Sequence, residues 1–438
     1  VKDRLQTPGR GGSLHPVSTS PTHQTIETVW RMESPRLIGA LVRMLGDVGL
    51  AEEAAQDALV AALERWPQSG LPDNPAAWLM TTAKNRAIDV IRRARRVDEK
   101  NTLLGHEQDL RQQLAAPDPE AALDNNVGDD LLRLVLIACH PVLPTDARVA
   151  LTLRLLGGLT TAEIARAYLV PEPTVAQRIV RAKRTLAQQP VAFEVPRGAE
   201  LEARVPAVLE VVYLIFNEGY SATAGQDWMR PALCQDALRL GRVLAGLLPT
   251  QAEVHGLLAL MEIQASRAAA RTAPNGAVVP LLEQNRARWD HVLIRRGLQA
   301  LDRALALNAA PGVYTLQAAI AACHARARTP QQTDWEAIVA YYTALLAAMP
   351  SPVVELNRAV AVSMARGPAA GLELVNALQD VPALKAYHLL PSVRGDLLFK
   401  LGQFKEASVE FERAAAQTQN QAERDFLLAR ALACAKQP

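Results

Sequence analysis

Residues 160–186 read "TTAEIARAYLVPEPTVAQRIVRAKRTL", two apolar-patterned runs parted by three residues, the second studded with Arg, Lys and Gln. Thr160 and Glu163 have the T-x-x-E spacing of a capping box, in which each side chain satisfies a backbone N–H of the other's turn. A helix is therefore expected from about Thr161. Leu169, Val170 and Pro171 make the break, and Pro173 stands in the first turn of the second run, where its missing N–H is no loss. A second helix opens near Glu172. Within it Val175, Ile179, Ala182 and Leu186 recur at helical spacing as a buried stripe, leaving Thr174, Gln177, Arg178 and Arg181 on another face. Arg and Gln can pair two-pronged with base edges in a major groove, and Lys183 and Arg184 further along suit phosphates. An ordinary helical hairpin with a solvated basic face has the same residues, so this stretch alone leaves both readings open.

The chain around it has 438 residues, too many for one small helical bundle. Ala and Leu dominate its apolar content and strand-type runs of Val, Ile, Thr and Tyr are scarce, so an all-α fold is expected. The net charge is only +2, which means that any nucleic-acid contact must come from local patches. Cys139, Cys234, Cys323 and Cys434 lie far apart without a C-x-x-C, as suits small core residues in a reducing cytoplasm. The Cys139-His140 and Cys323-His324 neighbours diverge around a helix, so no metal site and no cofactor is expected. No apolar run is long enough to span a bilayer and no signal-peptide pattern is seen, which predicts a soluble cytoplasmic protein with no membrane partner. Residues 1–25, rich in Gly, Pro, Ser and Thr, read as a disordered lead-in.

Residues 26–97 read as a small helical bundle. Leu37, Leu41 and Leu45 share one face of its first helix, and Ala55, Leu59 and Leu63 one face of the second. A turn-rich segment from Pro67 to Pro75 precedes "AWLMTTAKNRAIDVIRRARR", in which Trp78, Leu79, Ala83, Ala87, Val90 and Ile91 can pack inward. Lys84, Asn85, Asp89, Arg92, Arg93 and Arg96 fall mostly outside. Four Arg in five residues exceed what a helix C-terminus needs to complement its dipole.

"AEEAAQDALVAALERW" followed by "WLMTTAKNRAIDVIRRARR" resembles region 2 of the extracytoplasmic-function sigma factors, and the stretch from Thr160 to Leu186 resembles their region 4. Both likenesses occur in the family's order and separation, over roughly residues 26–188. The resemblance implies a non-catalytic subunit that binds core RNA polymerase through the helix carrying Gln56 and Asp57 and brings it to promoter DNA. It places Lys84, Asn85, Asp89, Arg92, Arg93 and Arg96 on the minus-ten strand, and the Pro67–Pro75 loop around an unstacked base, whose extrusion costs a few kcal/mol. It places Thr174, Gln177, Arg178, Arg181, Lys183 and Arg184 at the minus-thirty-five element. The family's short turn often carries Gly where this chain has Leu169, and a left-handed Leu would cost about 1 to 2 kcal/mol, so a turn of another geometry is expected.

Between the modules, residues 98–123 carry six acidic against two basic residues without sustained periodicity, and read as a flexible acidic linker. The second module, residues 124–190, opens with two supporting helices, for which Asp146 is a candidate N-cap and Gly157-Gly158 a stop. A further 248 residues come after Pro190. In the extension at residues 191–289, the apolar helix ending in "FNEGY" has Gly219 as its expected C-cap, and Glu218 reads more readily as a cap or domain contact than as a site. From residue 290 to residue 438 a grammar of helical pairs appears, and L-G-x-F-x-E-A-x3-F-x-R-A from Leu401 to Ala414 approaches the tetratricopeptide pattern. Gly402 and Ala407 would allow close helix approach there, with Phe404 and Phe411 filling the gap. Such stacks present concave surfaces that bind a protein or peptide, the expected regulator of this part. The layout looks like a sigma-factor subgroup with a helical-repeat extension. The rival reading is a helix-turn-helix regulator with a sensing repeat domain, which would need one DNA-reading module rather than two. No phosphate-cradling loop or nucleophile elbow points to an enzyme in the back half.

Overall fold

The computed structural model describes residues 21–102, 127–168, 170–188, 195–222, 224–225, 229–274, 277–308 and 310–436. The chain forms two units, divided between Asp124 and Asn125.

The front unit is built from α1 (Pro21–Leu45), α2 (Val48–Ser69) and α3 (Pro75–Thr102). Helix α1 begins five residues inside the segment expected to be disordered, and α3 continues five residues into the expected linker; the rest of the lead-in and linker lies outside the described residues. Leu37 and Leu41 are buried as expected. The inner face of α2 differs from expectation: Ala51, Ala54, Ala55, Ala58 and Ala62 are buried with Trp66, while Leu63 remains 38% exposed. Small side chains let α2 lie close to its neighbours, and the bulk is supplied by Trp66, which meets the edge of Trp78 at 5.3 Å. From α3, Leu79, Ala83 and Ala87 complete this core.

The second unit joins what the sequence separates into three domains. Helices α4 (Val127–Ala138), α5 (Thr145–Leu155), α6 (Thr161–Tyr168) and α7 (Glu172–Gln188) are followed by α8 (Ala199–Tyr220), α9 (Pro231–Leu247) and α10 (Ala252–Ala265). The array of pairs then runs through α11 (His291–Leu307), α12 (Val313–Arg326), α13 (Trp335–Ala348), α14 (Pro352–Arg366), α15 (Pro368–Ala377), α16 (Leu389–Lys400), α17 (Phe404–Gln417) and α18 (Gln421–Cys434). Successive pairs share apolar clusters, from Ala259, Ile263 and Leu301 to Leu398, Phe411 and Leu427, so the core continues along the array. Asp290, Asp334 and Asn420 cap helices through their side-chain oxygens, each such cap being worth about 1 kcal/mol.

One small sheet was not foreseen. β1 (Ala224–Gly225) pairs in parallel with β2 (Gln419–Asn420), and buried Asn420 donates through Nδ2 to the Ala222 carbonyl at 3.2 Å. The end of the array thus returns to the loop after α8. Gly402 is also used otherwise than expected: it turns the chain at φ +78° with open space where a Cβ would stand, while Gly395 makes the close approach to Phe411.

Candidate nucleic-acid interface

In the second unit, the capping box forms as read. Glu163 N–H donates to Thr160 Oγ1 at 3.2 Å, and Thr160 N–H to Glu163 Oε2 at 2.7 Å. Gly158, at φ +70°, turns the chain between α5 and α6. Val175, Ile179, Ala182 and Leu186 are all buried, so α7 sits on α5 and α6 by the stripe that periodicity indicates. Leu169 lies outside the described residues, and the turn read there with it.

This anchoring turns Gln177, Arg181 and Arg184 outward as exposed side chains, with Thr174, Arg178 and Lys183 half-buried beside them. Val180 is 62% exposed in the middle of this face. Sequence reasoning missed it, although its place off the buried stripe was the available signal. An apolar side chain among donors and acceptors suits a thymine methyl. Arg178 is held by an ion pair across helices, Nε to Asp146 Oδ2 at 2.9 Å. Asp146 is therefore not the N-cap: α5 starts at Thr145 after Pro144, and Asp146 lies in its first turn, where the carboxylate can orient Arg178.

The extension grips the supporting helices. Arg148 of α5 donates to Glu210 of α8 at 3.1 Å, and Arg239 of α9 donates to the Leu156 carbonyl at 2.6 Å. Arg230 donates both to the Ala167 carbonyl of α6 and to the carboxylate of buried Glu218. The "FNEGY" segment is thus a domain contact. Gly219 is not a cap but an interior residue of α8, where a Cβ would lie 2.6 Å from the Cys234 backbone nitrogen. Tyr220 accepts from Arg267 at 2.6 Å. Cys139 is a core residue whose thiol is pushed up to about 11 by burial, outweighing the hydrogen bond with Thr152.

In the front unit, Asn85, Asp89, Arg92, Arg93 and Arg96 stand exposed along α3, with Lys84 half-buried at their edge. Asp89 and Arg92 are 4.0 Å apart, both more than half exposed. The expected loop is shorter than read, because Pro67 to Ser69 remain helical and Gly70–Asn74 alone connect α2 to α3. Asn74 Oδ1 caps α3 through Ala77 N–H at 3.1 Å. On α2, Asp57 is exposed and Gln56 donates to Glu52 at 2.8 Å. Leu50 and Val60 lie with Asp57 on one exposed stripe at helical spacing, an apolar lining that sequence reasoning missed.

Residues 29–97 match the Sigma-70 region 2 family and residues 133–186 match Sigma-70, region 4. Residues 204–305 match a family of unknown function, DUF6596. An uncharacterized protein, R00370 of Rhizobium meliloti (strain 1021), is 43% identical over 90% of this chain and 92% of its own length. The ECF RNA polymerase sigma factor SigK of Mycobacterium ulcerans (strain Agy99) is 30% identical over 34% of this chain and 78% of that protein. The probable ECF RNA polymerase sigma factor SigI of Mycobacterium tuberculosis (strain ATCC 25618 / H37Rv) is 28% identical, the match spanning 40% of this chain and 58% of that protein.

Proposed function

We propose how the work is divided within this chain, which belongs to the ECF RNA polymerase sigma factors and serves transcription initiation without catalysing a reaction itself. Helix α7 reads the minus-thirty-five element through Gln177, Arg178, Arg181 and Thr174, with Val180 against a thymine methyl and Lys183 and Arg184 on phosphates. The observation that carries this reading is the exposed polar face of α7 above a fully buried stripe. Lys84, Asn85, Asp89, Arg92, Arg93 and Arg96 of α3 meet the minus-ten strand, and the Gly70–Asn74 connection holds its extruded base. Gln56 and Asp57 dock on core RNA polymerase with the support of exposed Leu50 and Val60.

The helical pairs of α11 to α18 act as a tetratricopeptide-like surface for a protein or peptide regulator. The support of α5 and α6 from behind comes from α8 and α9, through the contacts of Arg148, Arg230 and Arg239. Purified core polymerase plus this protein is expected to start transcripts at specific promoters with no other sigma factor present. Activity confined to polymerase that already holds another sigma factor would favour the helix-turn-helix regulator instead. Asp57→Arg should weaken polymerase binding in a direct titration while its exposed position leaves the front unit folded.

A further inference from the structure

A cavity of about 340 Å³ opens between the start of α11 and the end of α12. Arg286, Arg326, Arg328 and His291 bring basic groups to its walls, and Trp289 and Ile294 supply apolar surface. Its volume falls in the range of about 300 to 1,000 Å³ typical of small-molecule sites.

The charges of this cavity are poorly balanced. Arg286 donates to the carbonyls of His324 (2.7 Å) and Ala327 and lies 3.4 Å from Thr333 Oγ1, none of them a carboxylate. Among the described residues no acid comes within ion-pair distance of Arg286 or Arg328. Arg326 has only a loose pair with Asp302 at 3.9 Å, and both are exposed. Asp290, beside His291, is engaged in capping α11. Arg286 is only half-buried, and in place of a carboxylate its guanidinium has the face of Trp289 at 4.9 Å, which a second cation, Arg267, approaches at 5.9 Å.

Two buried donor atoms are also unpaired. Trp289 is 4% exposed, yet its indole Nε1 has no hydrogen-bond partner, and neither has Arg286 Nε. An indole N–H and a guanidinium N–H can only donate, so what completes them must accept. Unpaired buried donors are rare in folded proteins, and a bound water or ion is one ordinary way to complete them.

We propose that this cavity binds a small organic anion, a carboxylate or phosphate ester carrying an aromatic or apolar body. Its oxyanion meets Arg286, Arg326 and Arg328, and its body lies against Trp289 and Ile294. The site is placed to affect promoter recognition, because Arg267 joins the Trp289 cluster to Tyr220 of α8, two residues beyond the Glu218–Arg230 pair that anchors α6. That consequence rests on the extension supporting the reading helix; binding itself does not.

Isothermal titration of the full chain, without polymerase or DNA, separates this site from the promoter-reading proposal. Benzoate and phenyl phosphate are the probes, with benzamide as neutral twin and inorganic phosphate as bare oxyanion. Saturable one-site binding of benzoate or phenyl phosphate is expected, with benzamide and inorganic phosphate weaker. Arg328→Gln, at an exposed position compatible with folding, should weaken the aryl anion about tenfold, as loss of one charge-assisted contact implies. Absence of saturable binding by both aryl anions overturns the proposal, as does equal binding of benzamide or indifference to Arg328→Gln. Displacement of the bound probe by a short duplex of random sequence would assign the cations to a nucleic-acid backbone and overturn it equally.

Discussion

Helices α3 and α7 both display arginines, but the molecule holds them differently. On α3 the Asp89–Arg92 pair is local, 4.0 Å between well-exposed side chains, and such a pair contributes little. On α7, Arg178 reaches across helices to Asp146 at 2.9 Å, a partly exposed pair, and the helices beneath are tied to α8 and α9 by three guanidinium groups. Two-pronged reading of a base edge requires a side chain held in register, whereas contact with phosphates of an opened strand tolerates movement. The arginines of α7 thus stand on helices braced from behind, while the described α3 pair stays within its own helix.

The comparison breaks most completely if α7 works without that base. Ending the chain after Gln189 removes the guanidinium donors to the Leu156 and Ala167 carbonyls and bares the helices under α7. Run-off transcription from one promoter is expected to be lost, and removal of residues 422–435 alone should cost less. Undiminished output from the shorter protein would make the extension a passenger.

The next largest effect is expected from Glu218→Gln, which removes the carboxylate charge facing Arg230 in a mostly buried setting. Removing one charge of a mostly buried pair while Gln keeps an acceptor there should cost about 1 to 3 kcal/mol. Thermal unfolding of the full chain should show an earlier transition for the second unit and an unmoved one for the front unit; a shift of both would mean that the modules are held alike.

At α7 itself, Gln177→Ala or Arg178→Ala should cost about 1 to 3 kcal/mol and relax preference at particular upstream base pairs. Lys183→Ala, and Arg93→Ala on α3, should weaken all upstream sequences evenly. Transcription from a library of upstream variants reads the difference. Equal losses for all four would reduce α7 to a positioning helix.

A smaller, pH-dependent difference is expected from His324. Burial, aided by Arg267 and Arg286, lowers its pKa from 6.5 to about 4, so the folded second unit keeps the ring neutral where the unfolded chain would protonate it. The resulting stability is complete above pH 6.5 and is lost as the pH falls toward about 4. Moving from about pH 7 to about pH 5 should cost the second unit about 2 kcal/mol. His324→Gln should flatten that slope in denaturant melts of the full chain. A slope unchanged by the substitution would place the titration elsewhere.

The sequence by itself determined the helical class, the capping box at Thr160 and Glu163, the buried stripe of α7 and the outward polar faces of α3 and α7. These are local properties, written in spacings of three and four residues along one helix. Tertiary structure alone decided that Arg178 meets Asp146, that Arg230 joins Glu218 to Ala167, and that Asn420 returns to Ala222 across 198 residues. It also assigned close approach to Gly219 and Gly395 and turning to Gly402, which sequence could not separate because glycine serves both needs with the same absent side chain. Periodicity states which face of a helix is apolar, but not which distant helix will cover it. That choice belongs to packing, where shape and charge from segments far apart in sequence must fit at once.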